Sequence, residues 1–315
     1  MELTRNEILN MIKKIEADDD WDGISAAVQM MRHLEIPPER VSISPKKVVP
    51  SDAQTVVLDK RTSGDGWVVD HHTTDSPLKN ILAFCENGLT PTSTLVYRLL
   101  PEKDETDLFL SATAEITEGL DEHGWKHGSL GELCRKYPKY LQPSPLKSQF
   151  VRKEKIYPIA DVVALVAMEE PYEALKLGPK LSPRHVADAG DLKAMFNVKL
   201  QKRVDEYFEF MENFPTDRFF PMDFDGYAAR IGNASDFRFP LPALARMERE
   251  FPGNYLLYKG ANKGLSVRTY DRQFVETVVR RLGTNVKSYG GRVSWWGISL
   301  HNDIGYNKFL EALRN

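Results

Sequence analysis

Cysteine is almost missing from this chain: Cys85 and Cys134 are the two copies among 315 residues. Neither lies in a Cys-x-x-Cys pair, and two thiols exclude a disulfide framework, so both are expected to be buried spectators. No apolar run reaches the roughly 18–20 residues that cross a bilayer, and no membrane partner is expected. Met1 to Asn10 carries charges and lacks a signal-peptide core, so the expected location is the cytoplasm. Internal repeats and low-complexity tracts are absent too. Nor does one sign of charge dominate: 42 Lys and Arg stand against 45 Asp and Glu, a formal net charge of −3. That excludes a globally basic nucleic-acid coat. An enzyme that works on a phosphate chain needs only a local basic track.

What is present suits a globular protein, 42% hydrophobic and 28% charged, and long enough for two domains. Ile8, Leu9, Met11, Ile12 and Ile15 have helical spacing, which predicts a helix over Asn6 to Ile15. A second helix is expected after Gly23, through Met31, stopping before Pro37-Pro38. Thr55-Val56-Val57-Leu58 ends at Asp59, and Trp67-Val68-Val69 ends at Asp70. Both runs are short and β-branched, as buried parallel strands are. Helices are expected over Thr94 to Leu100 and Leu108 to Leu120. Strands alternating with helices predict an α/β domain with a parallel sheet, whose ligands bind beyond the carboxyl ends of the strands. Asp59 and Asp70 stand at that end.

Lys136 to Ser148 reads as a connection, and Ile159 to Leu177 and Ala187 to Phe214 as helices. Pro215 to Pro242 is punctuated by Pro, Gly, Asp and Asn. Asn254 to Tyr258 and Gly264 to Tyr270 are expected strands, with helices over Gln273 to Leu282 and Asp303 to Leu313. The expected organisation is a parallel-sheet domain over 1–140, a helical connector over 141–214 and a smaller α/β domain over 215–315.

Four pieces carry the chemistry. Asp18-Asp19-Asp20-Trp21-Asp22-Gly23 alone could be a solvated loop or a helix cap. Its spacing echoes a calcium loop, but the twelfth position counted from Asp18 is Gln29, not an acid, and the calcium reading fails. Asp59 alone could cap a turn. Asp70-His71-His72 pairs imidazole with carboxylate, a donor set that suits manganese or a similar divalent ion. Glu115 and Glu118 lie three apart on an expected helix and share a face. Together these pieces supply six or seven ligands from strand ends and helix starts of one domain, enough for two ions.

These motifs resemble those of the DHH phosphoesterase superfamily, and within it the RecJ-like exonucleases. Asp18-x-Asp20-x-Asp22-Gly23 followed by Ser25-Ala26-Ala27 is similar to the first motif and Val57-Leu58-Asp59 to the second. Asp70-His71-His72 is similar to the signature triplet, and Thr92-Ser93-Thr94 to the segment after it. Ala114 to Gly119 resembles the fourth motif, with Glu118 where Asp is usual. The family usually has an apolar strand before its first motif, where this chain reads as helix. Towards the carboxy terminus, Ser266-Val267-Arg268-Thr269 resembles a substrate-contacting Ser-x-Arg-Ser segment. Ser288-Tyr289-Gly290-Gly291-Arg292 resembles a Gly-Gly-His loop, with Arg292 in place of His. The resemblance covers most of the chain, least over Tyr137 to Phe220.

The resemblance implies a DHH domain followed by a DHH-associated domain and a phosphodiesterase that uses two Mn2+ ions, with Mg2+ as the alternative. It implies that Asp22, Asp59, His71 and Glu118 hold one ion, and Asp18, Asp20 and Asp59 the other. Asp70, His71 and His72 would form the catalytic triplet, with Asp70 fixing a histidine tautomer and His72 meeting the scissile phosphate. Ser266, Arg268, Gly290, Gly291 and Arg292 would bind the substrate, single-stranded DNA or RNA. Lys287, Arg280, Arg281 and Arg292 make that stretch basic, and Trp295-Trp296 either packs in the core or stacks on a base. The longer arm of Glu118 is expected to weaken activity, abolish it or shift its metal preference. Two alternatives accompany this reading: a replication-fork scaffold that binds a GINS-type complex, and a phosphodiesterase of short oligonucleotides or cyclic dinucleotides.

Overall fold

The computed structural model describes residues 3–314, except 47, 73–79, 86–88, 120–127, 145–153, 241–243, 245–246, 249–250, 252, 261–263, 293–294 and 302–303; the side chains of Arg292 and Trp295 also lie outside the description. Contacts divide the chain into two compact units, Met1–Leu146 with Arg152–Val204, and Lys147–Val151 with Asp205–Asn315.

The first unit begins with α1 (Arg5–Met11), β1 (Lys14–Ala17), α2 (Trp21–His33), β2 (Val41–Ile43), β3 (Val48–Val49), β4 (Thr55–Leu58) and β5 (Arg61–Thr62). It continues through β6 (Trp67–Asp70), β7 (Ile81–Phe84), α3 (Thr92–Leu99), α4 (Glu105–Thr117) and α5 (Ser129–Lys136). Then come α6 (Ile156–Glu169), α7 (Pro171–Leu177), α8 (Ala189–Ala194) and α9 (Val198–Glu212), the last of which contains the unit boundary. Five strands form one parallel sheet in the order β2-β1-β4-β6-β7. Val56, Val57 and Leu58 of β4 are wholly buried, as the continuous apolar run predicts for a central strand. Each such side chain contributes about 1.5–3 kcal/mol by leaving water.

One expected helix is corrected. A capping box between Thr4 and Glu7 starts α1, but the helix stops at Met11, and Ile12 turns extended with φ −68° and ψ 128°. Ile15 belongs to β1, where half-buried Lys14 and Glu16 alternate with buried Ile15 and Ala17. Ladders to β2 and β4 on both sides override the helical spacing of the preceding residues. An apolar-facing strand therefore does precede the Asp18 motif.

The second unit carries β8 (Phe220–Phe224), β9 (Tyr227–Asn233), β10 (Asn254–Tyr258), β11 (Leu265–Arg268), β12 (Val286–Arg292) and β13 (Trp295–Leu300), with helices over Arg272–Leu282 and Tyr306–Arg314. Its mixed sheet runs β12-β13-β11-β10-β9-β8, and only β9 and β10 pair in parallel. Leu256, Val267 and Ile298 pack there against Phe274, Val278, Phe309 and Leu313 of the two helices. Two expectations change in this unit. The punctuated stretch after Pro215 contains the hairpin β8–β9, turning at Asp225 (φ 48°) and Gly226 (φ 81°). Gly290 and Gly291 lie in edge strand β12, paired with Gly297 and Trp296, and not in a loop. Cys134 is buried and Cys85 half-buried.

Candidate metal centre

Strand order builds the site. The chain leaves β1 towards β2 on one side and returns to β4 on the other, so the sheet switches direction between β1 and β4. Asp18 follows β1, Asp59 follows β4, and Asp70-His71-His72 close β6. These three strands are neighbours, and the residues after them fall into one row: Asp18 donates its N–H to the Leu58 carbonyl (3.2 Å), and Asp59 to that of Val69 (3.0 Å). Asp59 turns sharply out of the sheet with φ 61°. That region is open to few residues besides Gly, Asn and Asp.

Helix α2 brings two more acids. Asp20 is its N-cap and accepts the Gly23 N–H at 3.0 Å. Asp22 sits in the first turn, where anions are favoured by the helix dipole. A Cβ on Gly23 would lie 2.8 Å from the Asp18 backbone N and O, so glycine allows the helix to start against the strand end. Both oxygens of Asp22 are held by the start of α3: Thr92 and Ser93 donate their N–H groups to Oδ2 and Oδ1, each at 2.8 Å. Thr92 also donates its hydroxyl to Asp59 Oδ1 at 3.0 Å.

The histidines complete the set. His71 is buried, its Nε2 at 3.3 Å from Asp59 Oδ1, 3.4 Å from Asp22 Oδ2 and 3.7 Å from Glu118 Oε2. Asp70 Oδ1 accepts the N–H groups of His71 (2.8 Å) and His72 (3.1 Å) and lies 2.8 Å from His72 Nδ1. Burial pushes the Asp70 carboxyl up, but the hydrogen bond and charge of His72 outweigh it and hold the group below the usual carboxylate value. His72 stays half-buried, with Nδ1 3.4 Å from Asp59 Oδ1. Glu118 is the C-cap of α4 and buried, and its longer arm reaches the cluster from there.

Three groups of donor atoms thereby lie within 4.8 Å of one another: Asp22, His71 and Glu118; Asp18, Asp20 and Asp59; and Asp59, His71 and His72. They share Asp59 and His71. Hard carboxylates with imidazole suit Mn2+ or Mg2+. Independent of composition, Asp59 Oδ2 is buried and has no hydrogen-bond partner among the described residues. A buried carboxylate oxygen left so is costly unless a cation meets it. The residues fit a pair of divalent ions.

The remaining expected site residues lie elsewhere. Glu115, which shares a helix with Glu118, holds the fold together instead. Its oxygens accept the N–H groups of Ser129 and Leu130 at the start of α5, each at 2.8 Å. In the second unit, Ser266 and Arg268 of β11 are buried, 8% and 3% exposed, and Arg268 Nε lies 3.5 Å from Glu248 Oε2. Gly290 is exposed in β12, and a Cβ there would meet nothing within 4 Å. The side chain of Arg292 lies outside the described residues. Arg280 and Arg281 both pair with Asp225, and Trp296 packs against the core of this unit. Sequence reasoning passed over Lys60, which is 2% exposed beside Asp18. A lysine directly after the acid that ends an apolar strand is the signal that could have found it.

No family profile and no curated protein matches the chain. Solved structures do. A DHH-domain protein described as a member of a family of ribosomal proteins matches with TM-score 0.58 at 12% identity, over 98% of this chain and 87% of its own. The exonuclease RecJ bound to manganese matches with TM-score 0.50 at 14% identity, over 99% and 93%. RecJ from Thermus thermophilus in complex with Mg2+ matches with TM-score 0.55 at 18% identity, over 98% of this chain but 50% of its own, so this chain spans half of that one. The fold is that of DHH-domain, RecJ-like proteins.

Proposed function

We propose that this chain is a phosphodiesterase that uses two divalent ions, Mn2+ by preference, to cleave single-stranded nucleic acid. The observation that carries the reading is the set of three-ligand groups linked through His71 and through Asp59, one of whose carboxylate oxygens is buried without a hydrogen-bond partner among the described residues. The RecJ structures that share the fold hold manganese or magnesium, which supports the same choice of ion.

Asp22, Asp59, His71 and Glu118 would hold one ion, and Asp18, Asp20 and Asp59 the other. When bound, such a pair supplies a nucleophilic water at neutral pH and neutralises charge on the phosphate. The protein's part is positioning. Thr92 and Ser93 lock the Asp22 carboxylate by two N–H donors, so that its reach is fixed before any ion arrives. Asp70 orients His72 through Nδ1, and that half-buried ring would meet the phosphate. Burial of Asp18, Asp22, Asp59 and His71 keeps bulk water from competing for their oxygens and nitrogens. In the second unit, the exposed Gly290 backbone could lie close to a phosphate chain.

The test is incubation with end-labelled single-stranded DNA and RNA, with and without Mn2+, beside His71→Ala. Stepwise, manganese-dependent shortening that the variant lacks is the expected result, and the label gives the polarity. Cleavage of neither strand by the wild type would overturn the nuclease. A pull-down with a GINS-type complex and an assay with cyclic dinucleotides would then separate the two remaining readings.

A further inference from the structure

Lys60 has no place in the ligand set, yet its ammonium is fully enclosed within the same strand-end row. It donates to the Ser44 carbonyl at 2.5 Å and to Ser44 Oγ at 3.4 Å, and stands 3.9 Å from Asp18 Oδ1. Its side chain has no exposed surface, so no phosphate can reach it. The two ligand groups differ in charge because of it. With Asp59 shared as proposed above, Asp22, Glu118 and Asp59 set three carboxylates and the His71 imidazole around one position, and Asp18, Asp20 and Asp59 set three carboxylates around the other. The carboxylate charge facing the second position would therefore match that at the first. The Lys60 ammonium already cancels part of that charge from the protein side, at a distance where a second cation on Asp18 is repelled.

We propose that Lys60 is a positioning residue that weakens the Asp18–Asp20–Asp59 site, making the second ion exchangeable while the Asp22–His71–Glu118 ion stays. The proposal rests on the two-metal reading above. The ion in the weaker site would then be loaded mainly when an anionic substrate adds its own charge.

The experiment counts bound ions by Mn2+ titration, following free aqueous Mn2+ by its EPR signal, with no substrate present. Wild type is compared with Lys60→Met, which removes the charge at similar volume, and Lys60→Gln, which also keeps an N–H donor for Ser44. One strong and one weak ion are expected in the wild type. In either variant the weak ion should tighten by about tenfold or more, with the strong one unchanged, and Asp20→Asn should remove the weak ion alone. Equal or weaker second-site binding in a folded variant overturns the proposal. Loss of both ions equally would mark Lys60 as structural and overturn it too. Failure of the wild type to bind any Mn2+ overturns the metal centre itself.

Discussion

The two ends of α2 each gather acidic side chains, and they neutralise them in opposite ways. At the C-terminal end, Arg32 Nη1 lies 2.6 Å from Asp107 Oδ1, Arg32 Nη2 2.5 Å from Asp104 Oδ2, and His33 Nε2 2.8 Å from Asp107 Oδ2. Cations at the end of a helix also suit its dipole. At the N-terminal end, five carboxylates meet two imidazoles and Lys60, and one Asp59 oxygen has no hydrogen-bond partner among the described residues. The first cluster is closed by the chain itself and is complete on folding. The second is chemically incomplete. An acidic cluster says little by itself; what separates a ligand site from an ion-pair network is whether the protein supplies its own counter-charges.

That contrast can be broken or sharpened. The largest effect is expected from Asp59→Asn, which keeps a residue tolerant of φ 61° while removing the shared carboxylate. Phosphodiester cleavage should fall on the order of 10³-fold, and the rise in melting temperature on adding Mn2+ should vanish. An unchanged rise would mean that Asp59 binds no ion. Next comes Asp107→Ala, which takes the buried acid from His33 and leaves Arg32 with Asp104 alone. It should cost about 3 kcal/mol of stability in urea, by the same amount with and without Mn2+; a Mn2+-dependent loss would show that the two clusters are coupled.

Gly23→Ala should cost about 2 kcal/mol by crowding the Asp18 backbone and should also weaken Mn2+ binding, whereas an effect on stability alone would detach the turn from the site. The smallest effect concerns acid. Burial raises the Asp104 carboxyl, but the Arg32 fork and the N–H groups of Asp107 and Thr106 outweigh burial and bring it down to about 2. Its folded value lies below the unfolded one, so its contribution is complete above about pH 4 and fades as pH falls towards 2. Asp104→Asn should flatten the melting temperature across that window, and an unaltered acid slope would assign the loss to other carboxylates.

Much of the first unit was legible because its elements repeat simple patterns. The apolar runs ending at Asp59 and Asp70 read directly as buried parallel strands, and the acids sit where such strands expose ligands. β1 was hidden because Lys14 and Glu16 occupy its half-buried positions, while Ile15 prolongs the helical spacing of Ile8 and Ile12 by coincidence. Ligand identity is carried by residue type, but the second unit depends on which way each strand residue faces. Ser266, Val267 and Arg268 are all buried in β11, a result no local pattern announces for a Ser and an Arg. The hairpin at Asp225-Gly226 did leave a signal, since Asp-Gly between alternating residues favours a turn with two positive φ values. The contacts of Thr92 and Ser93 with Asp22 join residues some seventy positions apart and exist only once α3 packs on α2.

The left-handed conformation of Asp59 carries an evolutionary consequence. At most buried positions, losing a key residue also damages the fold, and selection for stability guards both together. At φ 61°, Asn and Gly are comfortable replacements for Asp, and each is one base change away. Relief of carboxylate repulsion would even favour the uncharged form when no ion is bound. The chemistry proposed for this protein would therefore be detachable from its architecture: a single mutation at Asp59 would silence the proposed centre and leave a folded body free to be kept for its surfaces alone.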